Sequence, residues 1–400
     1  MNILYLCDEY PPGEHGGIGT AVQLLAREMV KQGHKVIVAG LYIPGYGGED
    51  EFDDEGVKVY RFRMGMNAKW FGNKRSVIRR IGSRILKDTG IIQRNITHSL
   101  AIYKTALKKL IDGHNIAVVE MPDYNDYIRF CNSFVPFPEL PVPVIVKMNG
   151  TLTYFAQEAN KHVPATVLKM EQAILNQASA VAAASRYSAD KSAACLSYTK
   201  PIEILYNGID TAIRDPDIHR NPEQVIFTGS LVAKKGVYQL AKAWNLVNAQ
   251  IPNARLLILG KGPQQKVADL LNEHAKGTVT FMGHVDKTTL YSYLFASAIS
   301  VFPSYAEAFA LAPLEAMACG TAVINSNRTS GPELIDDNIN GLLIDPDNIE
   351  QIAAAILSLL NDNATFNRLA KAGNNSVKER FEISKIAKQH LDFYKKVIDI

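Results

Sequence analysis

Along all 400 residues, short apolar runs alternate with longer stretches of helical period. That alternation constrains the fold more than any other feature. A parallel strand covered on both faces needs a continuous apolar run, and the return to the next strand needs a crossover helix. The first half supplies NILYLCD, KVIVAGL, VKVYRFR, IAVVEMP, PVIVKMN, SAVAAAS and IEILYNG as strands, with helices expected over roughly 18–32, 75–87, 94–111, 165–178 and 186–196. The stretch from Ile209 to Pro222 is polar, contains Pro216 and Pro222, and has no apolar period, so the boundary between two domains falls there. The alternation then restarts with QVIFTGS, ARLLILG, VTFMG, AISVFPS, TAVINS and NGLLID. A last helix over about 383–398 sets Ile386, Leu391, Tyr394 and Val397 near one stripe.

The reading is therefore α/β, with two Rossmann-like lobes: 1–209, 210–382, and a terminal helical segment 383–400. The length suits two domains, and 47% hydrophobic against 21% charged residues is ordinary globular composition. Cys7, Cys131, Cys195 and Cys319 are far apart, with no C-x-x-C pair and no metal-ligand spacing, so they are expected to be reduced thiols. Met1 leads directly into NILYLCD, without a basic leader, a long apolar segment or a small-residue cleavage site. The expectation is a cytoplasmic chain, neither secreted nor membrane-spanning.

Three glycine turns sit at strand-to-helix junctions. In an open parallel sheet ligands bind at the carboxyl ends of strands, where glycines let a phosphate approach the amides of a helix N-terminus. The first turn, EYPPGEHGGIGT, offers Gly16, Gly17 and Gly19. Its spacing is not G-x-G-x-x-G, and by itself it serves equally well as a plain tight turn. The second, GSLVAKKG from Gly229 to Gly236, places Lys235 where an ammonium can meet a diphosphate, although a lone lysine there is more often merely solvated. The third, LGKGPQQ, contains Gly262.

The sharpest signal is PSYAEAFALAPLEAMACGTAVI, Pro303 to Ile324. Glu307 and Glu315 are eight positions apart, and Glu315 falls in a helix that is apolar on almost every side. A buried carboxylate requires a definite partner. An arginine or backbone amides would serve, and so would a ribose, whose adjacent hydroxyls can both donate to it.

These pieces together resemble family 4 of the retaining glycosyltransferases, which have the GT-B fold of two Rossmann-like lobes facing across a cleft. They occur in the family's order: GGIG, YNGID at Tyr206 to Asp210, the Gly229 to Gly236 turn, GKGP, the E-x7-E pair, and GPELIDDNINGLLIDP at Gly331 to Pro346. The resemblance implies that Glu315 holds the nucleotide ribose, Glu307 the donor sugar, and Lys235 the diphosphate, assisted by backbone at Gly17. Its donor set also includes Gly19, Ser230, Gly262, Ala308, Phe309, Ala310 and Leu311, with Asn149 joining Glu307 and Lys235 as catalytic residues. It implies an N-terminal acceptor lobe, a C-terminal nucleotide-sugar lobe, and a final helix packing back toward the first. It further implies a UDP-sugar co-substrate, no other cofactor and no metal. The absence of a D-x-D pair in a donor loop agrees, since Asp345 and Asp347 lie in a late turn suited to a helix start.

Two positions depart from the family pattern: Ser230 stands where most relatives have arginine, and Asn149 where many have histidine. Beyond the motifs, charge is uneven. Residues 58–110 carry 14 Lys or Arg against Asp88 alone, a net +13, so a chain of net charge +3 holds −10 elsewhere. Within this stretch, 69–87 interleaves seven basic residues with Trp70, Phe71, Val77, Ile78, Ile81, Ile85 and Leu86. It reads either as an anionic-membrane surface or as an ordinary helix with solvated charges. No nucleic-acid module accompanies it. EMPDYNDY follows a strand and is taken as an acceptor loop through Asp123 and Tyr124, beside Asn149. The expected activity is extension of a glycan or lipid-linked acceptor in cell-surface polysaccharide synthesis, peripheral to the inner membrane face. The alternatives are a nucleotide-sugar epimerase of the same fold and a catalytically weak nucleotide-binding relative.

Overall fold

The computed structural model describes residues 1–13, 15–43, 45–65, 90–213 and 217–399. It divides into two compact units, one joining Met1–Gly208 to Ile383–Ile400 and the other comprising Ile209–Glu382. The first unit contains eight strands: β1 (Asn2–Leu6), β2 (Lys35–Tyr42), β3 (Glu51–Asp54), β4 (Val57–Arg63), β5 (Val118–Pro122), β6 (Val144–Met148), β7 (Ala180–Ala183) and β8 (Ile202–Ile204). They form one sheet in the order β3-β4-β2-β1-β5-β6-β7-β8. All neighbours are parallel except β3, which runs antiparallel to β4 at the edge. β3 escapes the apolar pattern because EFDD is acidic. It exists as half of a hairpin whose turn residues, Glu55 and Gly56, have φ of 54° and 89°, the primed-turn geometry that matches strand twist.

Helices Gly17–Lys31, Ile91–His114, Ala165–Gln177 and Arg186–Leu196 fall where periodicity predicts them, with Ile91–His114 longer at both ends. Leu152–Glu158 is an additional helix, too short to show a period. The helix expected over 75–87 and the basic aromatic stretch 69–87 lie outside the described residues. Ile386, Leu391, Tyr394 and Val397 are all buried, and the helix Ile383–Ile398 packs on the sheet beside Tyr5, Val38 and Ile145. Among the described residues no helix is long and apolar enough to cross a membrane.

The second unit has six parallel strands: β9 (Asn221–Thr228), β10 (Arg255–Leu259), β11 (Val279–Gly283), β12 (Ser297–Phe302), β13 (Ala322–Ser326) and β14 (Leu342–Ile344), ordered β11-β10-β9-β12-β13-β14. Its core gathers Val225, Phe227, Trp244, Ile258, Ile299, Ile324 and Ile356. Both sheets reverse direction of winding at their first strand: β1 lies between β2 and β5, and β9 between β10 and β12. At such a point the loops leaving the carboxyl ends of two central strands diverge and open a crevice. The segments after β1 and β5, and those after β9 and β12, carry most of the residues singled out by sequence, while Asn149 follows β6 and Gly262 follows β10.

Candidate functional site

In the second unit, the chain leaving β9 turns through Gly229 and Ser230 into the short 3-10 turn Ala233–Lys235. Gly236 closes it with φ of 68°, and a Cβ at this position would lie 1.8 Å from the carbonyl oxygen of Pro303. Only glycine permits that approach. It sets the turn after β9 directly against the turn after β12, and the contact is reinforced where the Tyr305 amide donates to the Lys234 carbonyl at 2.8 Å. Within this junction Lys235 Nζ donates to Glu307 Oε1, and Ser304 Oγ donates to the same oxygen at 3.3 Å. A cation and a carboxylate thus stand together at the crevice, each with part of its surface exposed.

The other predicted donor residues of this unit lie in the neighbouring turns and in the helix Leu311–Ala318. The Leu231 amide donates to the Lys261 carbonyl at 2.8 Å, joining the Ser230 turn to the turn containing Gly262. Ser230 is exposed. Ala308, Phe309 and Leu311 are buried, Ala310 is half-buried, and the Phe309 ring packs on Phe381 at 5.7 Å. Glu315 lies in the helix Leu311–Ala318 with its residue surface 9% exposed. No described residue donates a hydrogen bond to it. Its one ion-pair partner among the described residues is Lys287, at 3.8 Å. Burial raises its pKa and the Lys287 ammonium offsets part of that rise. Asp345 and Asp347 are bound by Arg328 at 2.7 Å each, and Tyr305 donates to Asp347 at 2.7 Å.

In the first unit, carboxylates shape the loops. Glu9 Oε1 accepts from the Gly19 amide at 2.8 Å, and the Gly16 amide also donates to this side chain. A Cβ on Gly19 would stand 2.0 Å from the Glu9 carbonyl oxygen, so glycine is required there. Gly17 is exposed, with open space where a side chain would begin. Asp8 accepts from the amides of Leu41 and Asp126 at 2.9 and 3.3 Å, and burial pushes its carboxyl up to about 7.

Asp123 is 1% exposed. Its Oδ1 accepts from the Asn149 amide at 2.8 Å, and burial raises its carboxyl to about 7. Glu171 accepts from the amides of Leu152 and Thr153 at 2.8 and 3.3 Å. The turn after β6 therefore has its amides directed inward onto two buried carboxylates. Asn149 itself is half-buried, its Nδ2 donating to the Lys147 carbonyl at 3.1 Å. Tyr124 is half-buried and donates to Asp126 at 3.1 Å.

Two family models match nearly the whole chain end to end: Glycosyltransferase Family 4 over residues 15–213 and Glycosyl transferases group 1 over residues 209–376. This chain belongs to glycosyltransferase family 4. The glycosyltransferase is 26% identical to a glycogen synthase of Mycobacterium tuberculosis, over 97% of this chain and 92% of that one. It superposes on sucrose-phosphate synthase of Thermosynechococcus elongatus with a TM-score of 0.77 at 21% identity, covering 100% and 99% of the two chains. With Anabaena HepE in complex with UDP-glucose the TM-score is 0.66 at 16% identity, covering 99% and 100%. Its fold is GT-B, as the motifs imply.

Sequence reasoning passed over several charged groups that this glycosyltransferase buries near the same strand ends. Lys147, in the apolar run PVIVKMN, donates to Asn207 Oδ1 at 2.9 Å and to His390 Nε2 at 3.0 Å. His390 Nδ1 bonds the Ile386 carbonyl at 2.8 Å, which assigns the proton to Nδ1 and leaves Nε2 as acceptor. Tyr394 donates to Glu120 Oε2 at 2.7 Å. Burial lowers Lys147 to about 8, against the opposing pull of the Glu120 carboxylate. A charge inside an apolar strand was the available signal.

Proposed function

We propose that this glycosyltransferase moves a sugar from a nucleotide-diphosphate sugar, most simply a UDP-sugar, to a glycan or lipid-linked acceptor, with retention of anomeric configuration and without a metal ion. The observation that carries the reading is the Lys235–Glu307 pair at the switch point between β9 and β12. A leaving diphosphate gains negative charge as the glycosidic bond breaks, and a fixed ammonium stabilises that charge. A carboxylate beside it accepts hydroxyl hydrogens from the sugar. Glu315, buried without a hydrogen-bond donor from the described residues, suits two ribose hydroxyls. The UDP-glucose in the HepE complex supports the donor class, and the glycogen synthase relative supports a glycan acceptor.

In the transfer, the bond from the anomeric carbon to the phosphate oxygen breaks as the acceptor oxygen bonds the same face of that carbon. The leaving phosphate oxygen takes the acceptor proton, so the products are the glycoside and the nucleoside diphosphate. No protein nucleophile is assigned. Asp345 and Asp347 are engaged with Arg328, which supports a metal-independent reading. Asn149 and Tyr124 are assigned to the acceptor side, and Asp123 holds the turn of Asn149 by accepting from its backbone amide.

Among the described residues of the basic stretch, internal and exposed charges can be told apart. Arg61 is 4% exposed and donates to the carbonyls of Tyr10, Pro12, Gly47 and Glu49, so its charge is internal. Arg94, Lys104, Lys108 and Lys109 are exposed on the helix Ile91–His114 alongside Ile91 and Ile102. This mixed face supports peripheral attachment to an anionic membrane on the cytoplasmic side, where a lipid-linked acceptor of cell-surface polysaccharide synthesis would be presented. Vesicle sedimentation at low and high salt tests it: binding that salt does not weaken, or no binding, counts against the charge.

The test of the activity is release of nucleoside diphosphate from UDP-glucose, with and without an α-glucan or lipid-linked glycan acceptor, in the presence of a chelator. Release that requires acceptor and yields a product of the donor's anomeric configuration supports the reading. Conversion of donor alone would mark an epimerase and overturn it.

A further inference from the structure

The helix Lys287–Ala296 begins with a lysine. Asp286 caps it, accepting from the Thr289 amide at 2.9 Å and the Thr289 hydroxyl at 2.8 Å. The amides at this end carry partial positive charge, so an ammonium in the first turn opposes the helix dipole. Helix stability therefore does not account for Lys287. Its side chain is 47% exposed, so packing does not account for it either.

Two contacts give the ammonium a direction. Nζ lies 5.5 Å from the ring centroid of Tyr291, one turn along the same helix, close enough for a cation–π contact. It is also 3.8 Å from Glu315 Oε1, across to the helix Leu311–Ala318. Among the described residues Lys287 is the cation that acts on the Glu315 carboxyl, while Arg220 stands at the end of the same helix and donates to the carbonyls of Cys319 and Gly320. From its own helix end comes Cys319, from the helix Lys287–Ala296 come Lys287 and Tyr291, and Asp210 faces the same tyrosine. The helix Asn363–Arg380 presents Asn374, which is uncharged and donates to the carbonyls of Met317 and Ala318. Ser300 and Thr321, behind, hydrogen-bond each other. Exposed ion pairs are usually worth little, but here one partner is buried and its field is poorly screened.

We infer that Lys287 is a positioning residue of the donor site: seated on Tyr291, its ammonium is the counter-ion that keeps Glu315 ionised, with both carboxylate oxygens free to accept from the ribose. The inference rests on the reading that Glu315 binds ribose. A protonated Glu315 has a hydrogen on one oxygen and no longer matches two hydroxyl donors. Removing Lys287 makes the buried carboxylate easier to protonate, so nucleotide affinity becomes sensitive to mild acid.

The experiment is calorimetric titration of the full chain with UDP, ADP and GDP at about pH 8 and about pH 6. The terminal phosphate of each ligand also titrates near pH 6, but it does so equally in every variant, so the ratio of variant to wild-type Kd removes it. For Lys287→Met that ratio is near one at the higher pH and rises to about twofold to fivefold at the lower, the change produced when the titration of a carboxyl that is ionised in wild type moves up by about one unit. Lys287→Arg keeps the ratio near one at both. A Met ratio independent of pH overturns the inference, whether it is unity or a uniform loss, since a uniform loss marks direct contact with the ligand. Glu315→Gln separates the two readings. If it weakens binding at both pH values and removes the effect of Lys287→Met, ribose and counter-ion both stand. If it leaves affinity unchanged at both, the ribose reading fails and this inference fails with it.

Discussion

Lys235 donates a hydrogen bond to Glu307 across 72 positions of sequence, within a junction where Gly236 packs on the Pro303 carbonyl. The pair is held from several sides. Ser304 bonds the same carboxylate oxygen, the Tyr305 amide bonds the Lys234 carbonyl, and the Tyr305 hydroxyl reaches Asp347. A charged group restrained in this way needs little reorganisation when charge develops next to it, which is the property that makes a fixed ammonium useful to a leaving group.

Glu307→Gln keeps the shape of that side chain but removes its charge. The expected result is a kcat lower by about tenfold to a hundredfold, the range for losing one charge-assisted hydrogen bond in the transition state. Nucleoside diphosphate affinity should stay within about twofold, because the ribose contact is assigned to Glu315. Steady-state kinetics alongside calorimetry checks this, and equal loss of both quantities would show that Glu307 serves nucleotide binding instead.

Gly236→Ala puts a Cβ where the Pro303 carbonyl already stands, on a backbone of φ 68°. Either the loop after β12 moves or the turn after β9 unwinds. Stability should fall by about 2–4 kcal/mol, combining overpacking with a strained dihedral. Denaturant unfolding measures it. Activity at a temperature where the variant remains folded should fall as well, because Lys235 and Glu307 flank the displaced contact.

The legible and illegible parts of this chain divide along locality. Glu315 is readable as buried because the residues around it are apolar on nearly every side, and Lys235 and Glu307 stand out in their turns. Their mutual contact is not readable, because it depends on β9 lying beside β12 with β10 and β11 on the other side. β3 is hidden because a hairpin edge needs a turn rather than an apolar face. Asp8 and Glu9 look like part of a polar loop, although each folds back to bind amides of more distant segments. Lys147 passes as one polar residue in an apolar run, since its partners lie 60 and 243 positions away.

Asp123 gives a pH dependence with a definite sign. Its carboxyl is raised to about 7 in the folded chain from an ordinary value of 3.8, so the folded state binds this proton more tightly than the unfolded state. The ionised form costs stability above about pH 7, and that cost is relieved as pH falls toward about 4, by at most ~1.4 kcal/mol per unit. Asp8 acts in the same direction. His390 opposes them, because burial holds it neutral while the unfolded chain takes up a proton below 6.5. Comparison with Asp123→Asn isolates one group. The stability of wild type relative to this variant should rise as pH falls from about 7 to about 5 in urea unfolding, and a constant difference would mean that the carboxyl titrates normally.

The Lys147 cluster fastens the helix Ile383–Ile398 to the sheet of its own unit. Lys147 bonds Asn207 and His390, while Glu120, whose charge supports that of Lys147, accepts from Tyr394 on the same helix. Lys147→Met fills similar volume but leaves the Glu120 carboxylate buried without its cation, which should cost about 3–5 kcal/mol. Glu120→Gln retains an oxygen for the Tyr394 hydroxyl and removes the charge. The double variant Lys147→Met with Glu120→Gln should therefore be more stable than Lys147→Met alone, recovering about 1–3 kcal/mol of the loss, since a buried pair replaced as a whole is better tolerated than one broken in half. Denaturant unfolding of the four proteins completes the cycle. If the two changes simply add, the charges are not coupled, and the cost of Lys147→Met lies in the hydrogen bonds to Asn207 and His390.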